Sequence, residues 1–121
     1  RLERSNQMSL AEKIAAKRAE KELGSFEVEE WGEEDKPLVL FFTDVAARDM
    51  SKIQKKHKDF INNPTMDAMV DMIILKAMTK EGEKAFDVGD KFILMGEPLN
   101  VIAKVFGAIF ETVSVEEQEK N

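Results

Sequence analysis

The sequence contains no cysteine and no tyrosine, and it has only one histidine and one tryptophan among its 121 residues. Without cysteine, neither disulfides nor thiolate metal sites can form, so we expect the chain to fold by burial alone, as suits a reducing cytoplasm. His57 is the only imidazole base for a nucleophilic triad. It lies among apolar residues of a predicted helix face, which favours a packed imidazole. We therefore predict that the protein is not an enzyme and holds no cofactor or metal.

Long hydrophobic runs are also missing. The longest unbroken apolar run is residues 38–42, LVLFF, whereas a membrane span needs about 20 residues. No signal peptide is visible in the sequence. We expect a soluble, intracellular protein without a membrane partner.

Basic residues are outnumbered, and the formal net charge is -6. This balance argues against nucleic acid as a partner, because neutralising phosphates requires an excess of Lys and Arg. The two signs are separated along the chain. Residues 27–35 contain six acids and no base, whereas residues 48–58 contain one acid and five bases: Arg48, Lys52, Lys55, Lys56 and Lys58. The basic stretch is either a solvated helix face or a surface that binds a partner.

The apolar residues are most concentrated in residues 64–79, PTMDAMVDMIILKAMT. Asn63 is a suitable cap, and Pro64 fits the first helical position. The charged side chains in this stretch, which are expected to face solvent, are only Asp67, Asp71 and Lys76. A helix with so narrow a polar strip is normally buried on most sides. We predict that it is the central helix of one domain.

Two elements are predicted before this helix. Ser9 and Glu12 form a capping-box pattern that begins a helix over residues 10–23, with a thin apolar stripe that includes Leu10 and Ile14. This helix either packs loosely on the domain or docks on a neighbouring copy. A β-hairpin follows, in which Phe26 and Val28 lie on the first strand and a turn runs from Trp31 to Pro37. Its unpaired edge is a natural assembly site.

The remaining helices are predicted from their apolar spacing. Thr43 or Asp44 caps a helix to about Ile61, and Asp87 caps a short helix that Gly96 ends. The last helix begins at Pro98, and Gly107 within it indicates a close helix crossing. Its inward residues are predicted to be Leu99, Ile102, Ala103, Phe106, Phe110 and Val113.

The expected fold is mainly α, a compact helical domain of four to five helices with one small β-hairpin near the N-terminus. Its predicted divisions are an N-terminal helical arm at residues 1–24, a core domain with the hairpin at 25–113, and a flexible acidic tail at 114–121. We predict that Lys52, Lys55, Lys56 and Trp31 bind a partner. We predict that Leu10, Ile14, Phe26 and Val28 mediate self-assembly.

The order of motifs adds a resemblance to a known family. A Trp-Gly hairpin and a helix pair are followed by DMIILKAMTKEGEKAF, GDKFILMGEP, an amphipathic helix and the ending SVEEQEKN. Over residues 26–121 this order resembles the tail assembly chaperones of long-tailed phages with flexible, non-contractile tails. The likeness is densest over residues 71–98.

The resemblance implies a non-enzymatic, homo-oligomeric helper in the host bacterial cytoplasm. Such a protein coats the tape measure protein and recruits tail tube subunits, but is absent from the finished tail. The family commonly has a short form and a longer form made by ribosomal frameshifting. Glu119, Lys120 and Asn121 can be encoded by GAA AAA AAC, which is compatible with slippage after the short form.

Two other classes stay open at the level of sequence. One is a small acidic adaptor or regulatory protein that binds a single protein partner with a fixed stoichiometry. The other is a nucleic-acid binder that uses Lys52, Lys55 and Lys56 and whose affinity falls steeply with salt.

Overall fold

The computed structural model describes residues 8–120, with side chains described for residues 8–110. The elements in chain order are α1 (Leu10–Glu20), β1 (Gly24–Glu33), β2 (Lys36–Phe42), α2 (Ala47–Lys56), α3 (Met66–Lys76), a 3-10 turn (Val88–Asp90), α4 (Lys91–Met95) and α5 (Leu99–Lys120). The five described helices and the hairpin confirm the predicted set of elements. With 50% helix and 18% strand the fold is mixed α and β, whereas a mainly α fold was predicted.

Helix α3 is the centre of the core, as the sequence predicted. Val70, Ile73 and Ala77 are buried in one apolar cluster, together with residues of both strands and of α5. Met72 faces a second cluster. The residues that complete these two clusters are Val28, Leu40, Phe42, Ile74, Leu94, Val101, Ile102, Val105 and Ile109 in the first, and Ile53, Phe60 and Ala68 in the second.

The start of α3 differs from the prediction of Asn63 as its cap. The capping residue is Thr65, whose Oγ1 accepts a hydrogen bond from the Ala68 N–H at 3.2 Å. A threonine directly before the first turn satisfies one of the free N–H groups there, so Pro64 lies before the helix and not at its first position.

The hairpin is longer than predicted, and its turn is tighter. Strands β1 and β2 pair antiparallel from Gly24 opposite Phe42 to Glu33 opposite Lys36, with an irregularity in the register between Val28 and Glu33. Trp31 and Gly32 therefore lie in β1 and not in the turn. A Cβ on Gly32 would lie 2.3 Å from the carbonyl oxygen of Lys36, so only glycine permits this close approach of the two strands.

Helix α2 starts later and ends earlier than predicted. Its cap position is Ala46, and the N–H of Ala46 donates to the carboxylate of Asp49 at 2.8 Å. Neither Thr43 nor Asp44 is the cap, because both contact Lys76 instead. The helix ends at Lys56, so Phe60 reaches the core from the turn that follows it.

The C-terminal half of the domain is a turn followed by two helices. Gly82 has a φ of +86°, which glycine adopts readily, and it forms the predicted turn. Phe86 lies edge-on to Trp31, with 5.9 Å between ring centroids. Asp87 precedes the 3-10 turn, but its side chain makes no capping hydrogen bond. Its backbone N–H donates to the Asp90 carboxylate instead.

The buried face of α5 was predicted only in part. Val101, Ile102, Val105, Ala108 and Ile109 are buried, whereas Leu99 and Ala103 are exposed. The prediction of a close helix crossing at Gly107 is also wrong, because a Cβ at this position would meet no atom within 4 Å. Val113 and the acidic tail of residues 114–121 lie beyond the described side chains. No described helix is long and apolar enough to cross a membrane.

Candidate functional site

A buried ion pair connects three segments of the domain. Lys76, at the end of α3, donates to the Asp49 carboxylate at 2.8 Å, to Thr43 Oγ1 at 2.7 Å and to the Asp44 carbonyl oxygen at 3.0 Å. The Lys76 and Asp49 side chains are only 7% and 11% exposed. The sequence indicated that Lys76 would point to water, which is wrong because these partners replace its hydration. All polar contacts of this group are internal, so it serves the fold.

The pKa of Asp49 reflects the same contacts. Burial raises the pKa of this carboxyl group, but the hydrogen bonds from Lys76 and from the Ala46 N–H lower it more. The net pKa of Asp49 is therefore below its ordinary value, and the charged form is favoured in the folded state.

Helix α1 is held to the domain at its C-terminal end. Asp44 accepts from Arg18 Nη1 at 2.9 Å and from Lys21 Nζ at 2.5 Å. None of the residues of α1 is buried. The capping box at Ser9 and Glu12 is present as predicted, with bonds of 2.9 and 3.0 Å. The arm is thus a preformed helix that adds almost nothing to the core.

A charged network occupies the surface between α2, α3 and α4. Asp71 bonds His57 Nε2 at 2.7 Å, Lys91 Nζ at 2.9 Å and Lys56 Nζ at 3.3 Å, while Lys91 also pairs with Asp67. Burial raises the pKa of Asp71, but the bonds from His57, Lys91 and Lys56 lower it below the ordinary value. Burial lowers the pKa of Lys91, but its bonds to Asp67 and Asp71 raise the pKa well above the usual value.

Beside this network lies a cleft of about 250 Å³. Its rim carries four lysines, Lys52, Lys56, Lys84 and Lys91, together with His57 and Asp71. Its apolar lining consists of the buried Ile53 and Ile74, the partly buried Leu75 and, at the open side, the exposed Val88. We call this site the basic cleft. A basic rim over an apolar floor suits a partner that presents acidic and apolar side chains together.

The network also contains one metal-like grouping among the described residues. One ligand atom from each of His57, Asp67 and Asp71 lies within 4.8 Å of the others. The Lys91 ammonium already pairs with both aspartates. Because Lys91 supplies the positive charge that a cation would supply there, the arrangement is explained as an ion-pair network.

A second surface is exposed and apolar. The segment from the 3-10 turn to the first residue of α5 presents five large side chains that are between 45% and 88% exposed: Val88, Phe92, Ile93, Met95 and Leu99. We call these residues the apolar patch. Isolated apolar residues are normal on a surface, but five within twelve residues make this segment a candidate contact surface.

The predicted partner-binding residues are divided between two regions. Lys52 and Lys56 line the basic cleft, and Lys55 is exposed on α2 outside the residues that line it. Trp31 is elsewhere. Its Nε1 donates to Glu97 at 2.6 Å, and its ring packs against the core cluster beside Phe86. Trp31 therefore connects the hairpin to the segment before α5.

The predicted self-assembly residues also differ from one another. Leu10 and Ile14 are 74% and 61% exposed on α1. Phe26 is partly buried against the core, and Val28 is completely buried within it. The assignment of Val28 is wrong, because its face of β1 is covered by the domain and offers no surface to another copy.

Sequence reasoning missed Lys84, Lys91 and Val88 as members of the basic cleft. They follow the turn at Gly82 and reach α2 and α3 only through the folding of the chain. One signal was available. Asp67 and Asp71 are four residues apart and therefore lie on one face of α3. Because burying an unpaired charge is costly, two acids on a largely apolar helix predict cationic partners.

Comparison of the chain with family models, with curated proteins and with solved structures gives no match.

Proposed function

We propose that this protein is a tail assembly chaperone of a long-tailed phage with a non-contractile tail. In this proposal it coats the tape measure protein and recruits tail tube subunits in the host bacterial cytoplasm. It acts by binding and not by catalysis. The order of motifs over residues 26–121, from the Trp-Gly hairpin to the ending SVEEQEKN, supports the proposal.

The observation that carries the proposal is the basic cleft. Lys52 and Lys56 are two of the four lysines on its rim, above a floor that includes Ile53 and Ile74. A partner helix with acidic and apolar residues on one face would place its apolar side chains on the floor and its carboxylates beside the rim. A long, largely helical partner such as a tape measure protein can present that face many times along its length.

The size of the cleft supports weak, repeated binding. A cleft of about 250 Å³ admits only a few side chains, which suits an interface of the small, transient class. One such contact is expected to be weak. Many contacts along one partner chain become strong together, because each bound copy raises the effective concentration of the next.

The experiment is a binding measurement between the purified chain and the tape measure protein of the same genome. The variant Lys52→Ala/Lys56→Ala should lower the affinity at least ten-fold at low salt and should weaken its dependence on salt. The control Lys36→Ala/Lys80→Ala removes two exposed lysines outside the cleft and should bind like the wild type. Thermal unfolding verifies that both variants fold.

Two results would contradict the proposal. Equal affinities for the cleft variant and the control would show that the basic cleft is not the binding site. A single saturating stoichiometry of one chain per partner would favour the adaptor hypothesis instead, since an adaptor needs only one contact.

A further inference from the structure

Two uncovered apolar surfaces lie on different parts of this chain, and each lacks a cover among the described residues. One is the face of α1 that carries Leu10 and Ile14. The other is the apolar patch, where Phe92 is 88% exposed. A helix of eleven residues is marginal in water without tertiary contacts. Both surfaces therefore gain stability from contact with another apolar surface.

The arm projects beyond the domain that anchors it. Leu10, Ile14 and Arg18 are four residues apart, so they share one face of α1. Arg18 reaches Asp44 on the domain, yet Leu10 and Ile14 remain 74% and 61% exposed. The first two turns of α1 thus overhang the domain, with their apolar face available to a second molecule.

The arm and the patch are anchored at different positions along α3. Asp44 accepts from Lys76, the last residue of α3, as well as from the arm. Lys91, at the start of α4 within the patch segment, pairs with Asp67 and Asp71 in the first half of α3. The two anchoring regions are therefore separated by roughly 10 Å along the helix axis. Within one molecule the two surfaces do not cover each other, because Leu10, Ile14 and Phe92 all remain exposed.

The charges around the two surfaces are complementary. Lys13 and Lys17 are exposed, and each lies three residues after Leu10 or Ile14 and therefore beside it on α1. Asp87 and Asp90 flank the patch at its N-terminal side. The one cation in the patch segment, Lys91, is paired with Asp67 and Asp71. An apolar stripe with basic neighbours fits an apolar patch with acidic neighbours, which sets the orientation of the contact.

We infer that the first two turns of α1 of one copy dock on the apolar patch, Val88 to Leu99, of a second copy. The contact is heterologous, because the arm and the patch are different surfaces, so it continues from copy to copy into a ring or an open filament. It is also small, so self-association is weak and depends on concentration. The inference deepens the proposed function, on which its biological meaning rests, by naming the surfaces through which coating copies touch.

Sedimentation velocity of the full chain tests the inference without any partner protein. From about 10 µM to 1 mM, the sedimentation coefficient of the wild type should rise with concentration, as the weak contact implies. The arm variant Leu10→Glu/Ile14→Glu and the patch variant Phe92→Glu/Ile93→Glu should each remain monomeric. The control Ile61→Glu replaces an apolar residue that is 66% exposed outside both surfaces and should associate like the wild type.

An equimolar mixture of the arm and patch variants distinguishes this contact from others. The arm variant keeps its patch and the patch variant keeps its arm, so the mixture should form dimers and stop there. A monomeric wild type, a patch variant that associates like the wild type, or a mixture without dimers would each overturn the inference. None of the substituted residues lines the basic cleft, so binding of the tape measure protein is judged separately.

Discussion

Lys76 connects three segments through one ammonium group. Lys76 is the last residue of α3. Its ammonium group donates to Thr43 and Asp44, which follow β2, and to Asp49 in the first turn of α2. Removing one partner of a buried pair leaves a desolvated charge, which costs more than the pair itself contributes. This single residue is therefore expected to have a large effect on stability.

The substitution Lys76→Met tests this at nearly constant side-chain length. It should lower the free energy of unfolding by about 3 kcal/mol or more, because Asp49 stays buried without its ammonium partner. The matched control is Lys104→Met, which breaks an exposed pair with Glu30 at 2.7 Å and should cost less than about 1 kcal/mol. Urea denaturation measures both changes, and equal losses would contradict the role of burial.

The lowered pKa of Asp49 predicts a pH dependence. Because the folded-state pKa lies below the ordinary value of 3.8, the unfolded state takes up protons first as the pH falls. The stabilisation is thus complete well above pH 3.8 and is lost as the pH falls through the folded-state pKa. In Lys76→Met only the bond from the Ala46 N–H and the nearby Arg48 still oppose the effect of burial on the pKa of Asp49, so this loss should become smaller.

Urea denaturation at several pH values between about 5 and 2.5 measures the effect. The wild type should lose free energy of unfolding more steeply than Lys76→Met over this range. Lys80→Met, at an exposed lysine, should keep the slope of the wild type. Parallel curves for wild type and Lys76→Met would show that Asp49 is not the titrating group.

Among the helices, strands and turns, the features that depend only on neighbouring residues were predicted correctly from the sequence. The capping box of α1, the burial of α3 and the turn at Gly82 follow from short sequence signals, and all three are present. The face of α5 was only partly predicted, because its ends contain apolar residues on more than one side. The helical spacing predicts that Leu99 faces the core, but its side chain is exposed in the apolar patch.

Glycines at two positions give opposite predictions. Gly107 lies within α5, and a Cβ there meets nothing. Gly107→Ala should therefore stabilise the protein by about 0.5–1 kcal/mol through helix propensity. Gly32→Ala should destabilise it by about 2 kcal/mol, since the new Cβ would press on the backbone of β2.

Thermal and urea unfolding of both glycine variants check these signs. If Gly107→Ala destabilised the protein, glycine would be required at this position of α5 for a reason other than the free space around its Cα. A neutral Gly32→Ala would mean that the strands can separate at the irregular part of the hairpin.

At the scale of the whole molecule, the sequence predicted one domain around α3 but not how its surfaces are arranged. Lys52 and Lys56 could be chosen from the basic stretch alone. Lys84 and Lys91 could not, because they lie 28 or more positions further along the chain and meet α2 only after folding. The two acids on α3 indicate that cationic partners are needed, but no local signal identifies which lysines they are. The buried pair of Lys76 and Asp49, 27 positions apart, was missed for the same reason.

The domain thus combines a tightly connected interior with two different exposed surfaces. The basic cleft suits an acidic and apolar helix, and the arm and patch suit a second copy. Together they fit the proposed function, in which many copies bind along one long partner and neighbouring copies touch.

Native mass spectrometry of the chain with tape measure fragments of increasing length would count the copies that each fragment binds. If the chain coats its partner, the number of copies should rise in proportion to the length of the fragment. One copy per fragment at every length, or no binding at all, would contradict the proposed function.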